Sequence, residues 1–204
     1  LGTIFINELR YPEAIDTYQR LSVIYPENEE YIRNIADSYW NLSKMDEAFI
    51  TYEKLLLFDE ENSDILTRIG TIAMNLSDYE SAVKYLNQAI DCGIPQFNTF
   101  YNLGLAYGNM KNYLQALIAF ESAQKLLPND IEINYQMGVA CFELELYGKA
   151  IEYFIPYALD NNNDVLAFFL IGKSFLNLGD YISALGAFQK SFSINSLDFR
   201  TQYY

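Results

Sequence analysis

The chain has 204 residues, 51% of them hydrophobic, which is enough for one or two ordinary domains or for one elongated repeat array. Thirteen Lys and Arg against 27 Asp and Glu leave a net charge of −14, a field that repels phosphate backbones and anionic membrane surfaces, so nucleic acid is a poor partner. Histidine is absent, which removes the commonest general base and the commonest zinc ligand together.

No segment reaches the roughly 18 consecutive apolar residues of a membrane span. Residue 1 is Leu, and no basic stretch leads into an apolar run with a cleavage site, so no signal peptide is visible. A cytoplasmic setting is favoured, although the start has the look of a cut and leaves the compartment open. Cys92 and Cys141 fall at unrelated places in the pattern described next, so a disulfide framework is not expected.

Ala14, Ala48, Ala82, Ala116, Ala150 and Ala184 stand 34 residues apart without an insertion. Taking this Ala as the twentieth residue of a unit gives units 29–62, 63–96, 97–130, 131–164 and 165–198, with 1–28 the tail of an earlier one entering at its seventh position. The seventh position reads Leu1, Ile35, Ile69, Leu103, Met137, Ile171, and the eighth Gly2, Ala36, Gly70, Gly104, Gly138, Gly172. The seventeenth reads Tyr11, Met45, Tyr79, Tyr113, Tyr147, Tyr181, and the twenty-fourth Tyr18, Tyr52, Leu86, Phe120, Phe154, Phe188.

In chain order, 1–28 opens inside a first helix; Pro12 stands near the start of a second, where its missing N–H costs nothing, and Pro26 stops it. Unit 29–62 has two apolar-periodic stretches parted by Asn41-Leu42-Ser43. In unit 63–96, apolar spacings of three and four predict a helix A from about Asp64 to Leu76 and a helix B from about Glu80 to Asp91. Gly93-Ile94-Pro95 reads as a local turn variant. Unit 97–130 follows the pattern closely and its helix B is stopped by Pro128. In unit 131–164, Pro156 lies inside helix B, removes an N–H and crowds the carbonyl of Glu152, which predicts a kink. Tyr157 then stands where other units carry Leu, Ala or Ser, so the junction with unit 165–198 is expected to depart from regular stacking. That last unit breaks at Asn177-Leu178-Gly179-Asp180, and Phe199 to Tyr204 would begin a truncated further helix or tail. Phe168, Phe188 and Phe192 do not make a polar cap, so the expectation is a fragment of a longer array or a chain whose apolar ends associate.

Small residues at the eighth and twentieth positions let two helix backbones approach, and large ones at the seventh, seventeenth and twenty-fourth fill the space around them. A lone hairpin cannot bury this face. Stacking does, which predicts an all-α, right-handed α-solenoid.

Tyr101-Asn102-Leu103-Gly104-Leu105-Ala106-Tyr107, followed by Tyr113, Ala116, Phe120, Ala123 and Pro128, resembles the tetratricopeptide repeat (TPR), and the resemblance covers residues 1–198. Pentatricopeptide arrays, with about 35 residues and RNA as ligand, fit the charge poorly, and Sel1-like repeats run longer. The resemblance implies a protein-interaction scaffold with a concave groove walled by positions 2, 5, 6, 9, 12 and 13 of each helix A. Those positions put Glu30, Arg33, Asn34, Asp37, Trp40, Asn41, Asp64, Thr67, Arg68, Thr71, Met74 and Asn75 in a mixed polar stretch. They put Tyr101, Asn102, Leu105, Asn109, Tyr135, Gln136, Val139, Phe142, Leu166, Phe169, Leu170, Lys173 and Leu176 in a more aromatic and aliphatic one. A peptide or helix of a partner protein is the expected guest, with aromatic side chains as anchors.

Asn recurs at the thirteenth position as Asn7, Asn41, Asn75, Asn109 and Asn177, either to satisfy local carbonyls or as an amide ladder for a peptide backbone. One TPR subclass clamps the C-terminal carboxylate of a chaperone peptide. Of that clamp only Asn34 and Arg68 match; Thr3 and Asp64 stand where Asn and Lys belong, and an acid there repels a carboxylate, so chaperone-tail binding is not expected.

Other chemistry finds little support. The position-eight glycines are helix-packing residues rather than a phosphate loop. Glu27-Asn28-Glu29-Glu30 and Asp59-Glu60-Glu61 fall at turns and helix starts, where they favour the dipole, and Cys141 should be core. No enzyme activity, metal or cofactor is expected. Two other readings stay open: a recruitment or regulatory segment of a larger enzyme or sensor, and a self-associating structural array.

Overall fold

The structure, a computed structural model, describes residues 1–93 and 96–201, with side chains as far as Ile194. Among the described residues there are twelve helices and no strand. They are α1 (Gly2–Asn7), α2 (Tyr11–Ile24), α3 (Glu29–Asn41), α4 (Met45–Leu55), α5 (Ser63–Asn75), α6 (Tyr79–Cys92), α7 (Phe97–Asn109), α8 (Tyr113–Leu126), α9 (Ile131–Glu143), α10 (Tyr147–Asp160), α11 (Val165–Asn177) and α12 (Tyr181–Thr201). Odd-numbered helices are the A helices and even-numbered ones the B helices. The helices expected over Asp64–Leu76 and Glu80–Asp91 are α5 and α6, displaced by one residue at each bound.

Each boundary has a local cause. The residue closing one unit caps the next A helix: Asn28 accepts from Tyr31 N, Asn62 from Ile65 N, Asp130 from Glu132 N and Ile133 N, and Asp164 from Leu166 N and Ala167 N. Such caps contribute about 1 kcal/mol apiece. Each A helix ends in a residue of left-handed backbone: Leu9, Ser43, Ser77, Lys111 and Glu145 at φ 57–60°, and Gly179 at φ 80°. The next N–H reaches back to close the turn, as Lys44 N does to Tyr39 O at 2.9 Å and Leu146 N to Cys141 O at 2.8 Å. A non-glycine residue there costs roughly 1–2 kcal/mol, and five of the six turns accept that cost.

The chain divides into two units, Leu1–Ala106 and Tyr107–Tyr204. In the first, α1 to α6 each pack on their neighbours in sequence. Its alanine column, Ala14, Ala48 and Ala82, is fully buried, and so are Ile69, Tyr52 and Leu86 of the seventh and twenty-fourth columns. A Cβ on Gly70 would meet Leu86 Cγ at 2.6 Å, which is why this column is small. Gly93 ends α6; Ile94 and Pro95 of the expected turn variant lie outside the described residues.

In the second unit α8 to α12 pack in the same order, with α9 also touching α11. Ala116, Ala150, Met137 and Phe154 are fully buried. Cys141 is buried as expected, and burial pushes its thiol up to about 11, so it is an inert core group. α10 continues through Pro156 to Asp160 as one helix. Tyr157, the unusual residue after it, is buried, and its hydroxyl donates to Asp164 Oδ2 at 2.9 Å while Oδ1 of the same carboxylate caps α11. The junction is thus tied by a shared acid. α12 is continuous as far as Thr201, and Gln202 to Tyr204 of the expected further helix lie outside the described residues.

Candidate functional site

In the first unit, residues from α3, α5 and the start of α7 surround a recess of about 430 Å³. Its lining is Arg33 and Trp40, then Asp64, Thr67, Arg68 and Thr71, then Gln96, Asn98 and Asn102. With the exception of Gln96, these are residues 2, 5, 6, 9 or 12 of their units. Consecutive A helices stand side by side, so equal positions along the repeat meet on one wall. Of the residues singled out in the sequence, Arg33, Trp40, Asp64, Thr67, Arg68, Thr71 and Asn102 come together here.

Neighbour contacts hold the wall. Asn102 Nδ2 donates to Thr71 Oγ1 at 2.8 Å, the hydroxyls of Thr67 and Thr99 lie 3.0 Å apart, and Gln96 Nε2 donates to Asp64 Oδ1 at 3.2 Å. Gln96 closes its unit outside the A helix, and no periodicity signal marks it as part of this wall. Arg33 pairs with Glu29 at 2.5 Å on its own helix. Arg68 lies 3.7 Å from Asp37 and stacks 5.9 Å from the centre of the Tyr52 ring. Tyr52 itself donates its hydroxyl to Asp37. Burial first, and then Asp37, hold that phenol far above its ordinary range, so it stays a neutral donor. A buried tyrosine of α4 and an acid of α3 thereby orient an arginine of α5. Asn34, Tyr101 and Leu105 are half-buried and do not line this recess.

The asparagines divide by partner. Asn34 Nδ2 donates to Glu30 O at 2.8 Å, Asn41 Nδ2 to Asp37 O at 2.7 Å and Asn177 Nδ2 to Lys173 O at 2.9 Å, each to the carbonyl one turn back. For these three the local cause operates. Tyr101 stacks on Phe97 at 5.5 Å, and Asn109 is exposed.

In the second unit the A-helix wall of α9 and α11 carries aromatic side chains in two roles. Tyr135 is half-buried against its own hairpin, with its ring 5.9 Å from Phe154 and 4.8 Å from Tyr157, so the repeat itself uses much of it. Phe169 stays 43% exposed and Phe142 half-buried, with Val139 and Leu170 half-buried beside them. Lys173 places its ammonium 5.2 Å from the Phe142 ring centre and 5.9 Å from that of Phe169. Among the described residues no group of three or more metal-ligand side chains occurs, and no helix is long and apolar enough to cross a membrane.

Hairpins with a buried small-residue column and a wall of A helices define an α-helical repeat protein. The tetratricopeptide repeat model matches residues 29–62, 63–91 and 97–130, and the chain belongs to that family. A curated relative, the Hsp70-Hsp90 organising protein of Plasmodium falciparum (isolate 3D7), is 29% identical over 96 residues, 43% of this chain and 17% of that protein. The chain thus spans about a sixth of that relative's length. Among solved structures, YrrB superposes with a TM-score of 0.79 at 20% identity, over 87% of this chain and 91% of that one. MamA from residue 41 onward, of Desulfovibrio magneticus RS-1, superposes with a TM-score of 0.76 at 21% identity, over 87% and 98%. These two speak for the fold: all-α, of the hairpin type seen in TPR solenoids.

Proposed function

We propose that this chain is a protein-interaction scaffold whose A-helix walls take up a peptide segment or helix of a partner protein. The observation that carries the reading is the polar recess of the first unit, where the same repeat positions of consecutive A helices turn hydrogen-bonding side chains and Trp40 toward one space. Neighbours supply the context: the relative is named for organising Hsp70 and Hsp90, and YrrB is described as a TPR protein with an unusual peptide-binding site. The residues here differ from a chaperone-tail clamp. Asp64 lies in the recess with Arg68, so the guest is a segment with mixed hydrogen-bonding groups rather than a bare terminal carboxylate.

Replacing Arg33 and Arg68 together with Ala tests this. Proteins retained by the immobilised chain, identified by mass spectrometry, are expected to fall by about tenfold, with helix content by circular dichroism unchanged. Retention at the original level discards the recess as the binding surface.

A second reading, self-association, is favoured by α12. Leu185 is 59% exposed, whereas its counterparts Leu117 and Ile151 are 7% and 8% exposed under the following helix.

A further inference from the structure

Resting on the reading of the A-helix walls as peptide walls, we propose that the α9–α11 wall selects a segment carrying one carboxylate side chain flanked by aliphatic or aromatic residues, with Lys173 as the residue that reads the acid. Lys173 is half-buried, and its ammonium is clasped between the faces of Phe142 and Phe169. Two aromatic faces attract a cation and strip part of its water, but they supply no negative charge. Among the described residues no carboxylate lies within ion-pair distance of it; Lys54, Lys84, Lys111, Lys125, Lys149 and Lys190 share that lack but are exposed, whereas Lys173 is half-buried. In a chain with 27 acids and 13 bases, a half-desolvated cation kept clear of acids is an unspent recognition group.

The surface around it sets the rest of the guest. Leu166 and Leu176 on α11 are 51% and 47% exposed, and with Phe169 and Lys173 they follow helical spacing along one side. Apolar side chains of a guest gain from covering them, and the same cover strengthens an ion pair to Lys173 by excluding water. The net charge of −14 limits the guest in the other direction. A run of acids would be repelled at long range, so one carboxylate amid neutral neighbours is what the wall admits.

The test selects peptides of about twelve residues from a displayed random library against the intact chain, then measures the best binders as synthetic peptides. The expected sequences carry a single Asp or Glu between apolar residues. Lys173→Gln is expected to weaken the Glu peptide about tenfold and leave its Gln counterpart unchanged, and Lys173→Glu to favour the Lys counterpart. If Phe169→Ser abolishes binding while the Glu and Gln peptides bind the unaltered chain alike, the assignment of Lys173 is overturned and the wall stands. If no selected peptide depends on Phe169, the wall itself is overturned, and the proposal with it. Circular dichroism of each variant separates lost recognition from lost fold.

Discussion

Two tyrosines in the first unit act as fixed neutral donors to carboxylates. Tyr52 gives its hydroxyl to Asp37, and Tyr85 donates to Glu53 Oε1 at 2.6 Å. Burial, then Glu53, pushes the Tyr85 phenol up to about 12, and burial pushes that of Tyr52 higher still. In the unfolded chain a tyrosine ionises near pH ~10. Folding therefore favours the protonated form: this stability is complete below about pH 10 and drains away as pH rises from there toward the folded values. Urea midpoints are expected to fall between about pH 9 and 11.5, and to fall less steeply in Tyr52→Phe/Tyr85→Phe. An equal slope in both proteins would mean that other groups govern the alkaline limb. The place of Tyr85 in its unit carries no one recurring residue type, but the column that holds Tyr52 was legible in the sequence. The acid partners of both rings were not, because Asp37 and Glu53 lie 15 and 32 residues away and on helices whose facing surfaces only the packed structure defines.

At the scale of the helix pair, the eighth and twenty-fourth positions are one contact. A Cβ on Gly138 would meet Phe154 Cδ1 at 2.7 Å, and Phe154 is fully buried and has nowhere to move. Gly138→Ala is expected to cost about 1–3 kcal/mol through overpacking, measured as a lower urea midpoint with an unchanged slope. Ala36 occupies the same column opposite Tyr52, so the column tolerates a methyl only where the facing ring is set to admit it. This contact could be read from recurrence alone, since small and large residues alternate at fixed places. The turn between the paired helices could not. Its left-handed residue is Leu, Ser, Ser, Lys, Glu and Gly in turn, so no residue type announces it, and helix packing imposes the conformation against local preference. The same holds for Tyr135, which has the spacing of a wall residue but spends one face on Phe154 and Tyr157.

Across the whole molecule, charge and apolar exposure pull in opposite directions. The net charge of −14 keeps copies apart. α12 nevertheless leaves Ile182, Leu185 and Phe192 88%, 59% and 74% exposed, a stripe of the kind that draws partners. Added salt shortens the repulsion to roughly 8 Å at 0.15 M and leaves the apolar attraction in place. Light scattering is expected to show association that grows with protein and salt concentration, and Ile182→Glu/Phe192→Glu should lower it about tenfold. A monomer at every concentration and salt level would remove self-association as a reading. The hairpin array and its period were visible in the residues alone; the polar recess needed coordinates, because it is assembled from three helices and completed by Gln96 from a loop.

Within each unit a helix touches chiefly the one before and the one after it in sequence. Such a chain melts as a zipper rather than as a crystal. Opening one hairpin removes the support of the adjacent hairpins alone, so backbone amides should exchange in graded order, outermost helices first and α5 among the slowest of its unit. A guest lying across several A helices would then act as a splint, binding them in the assembled state and raising the protection of every hairpin it spans.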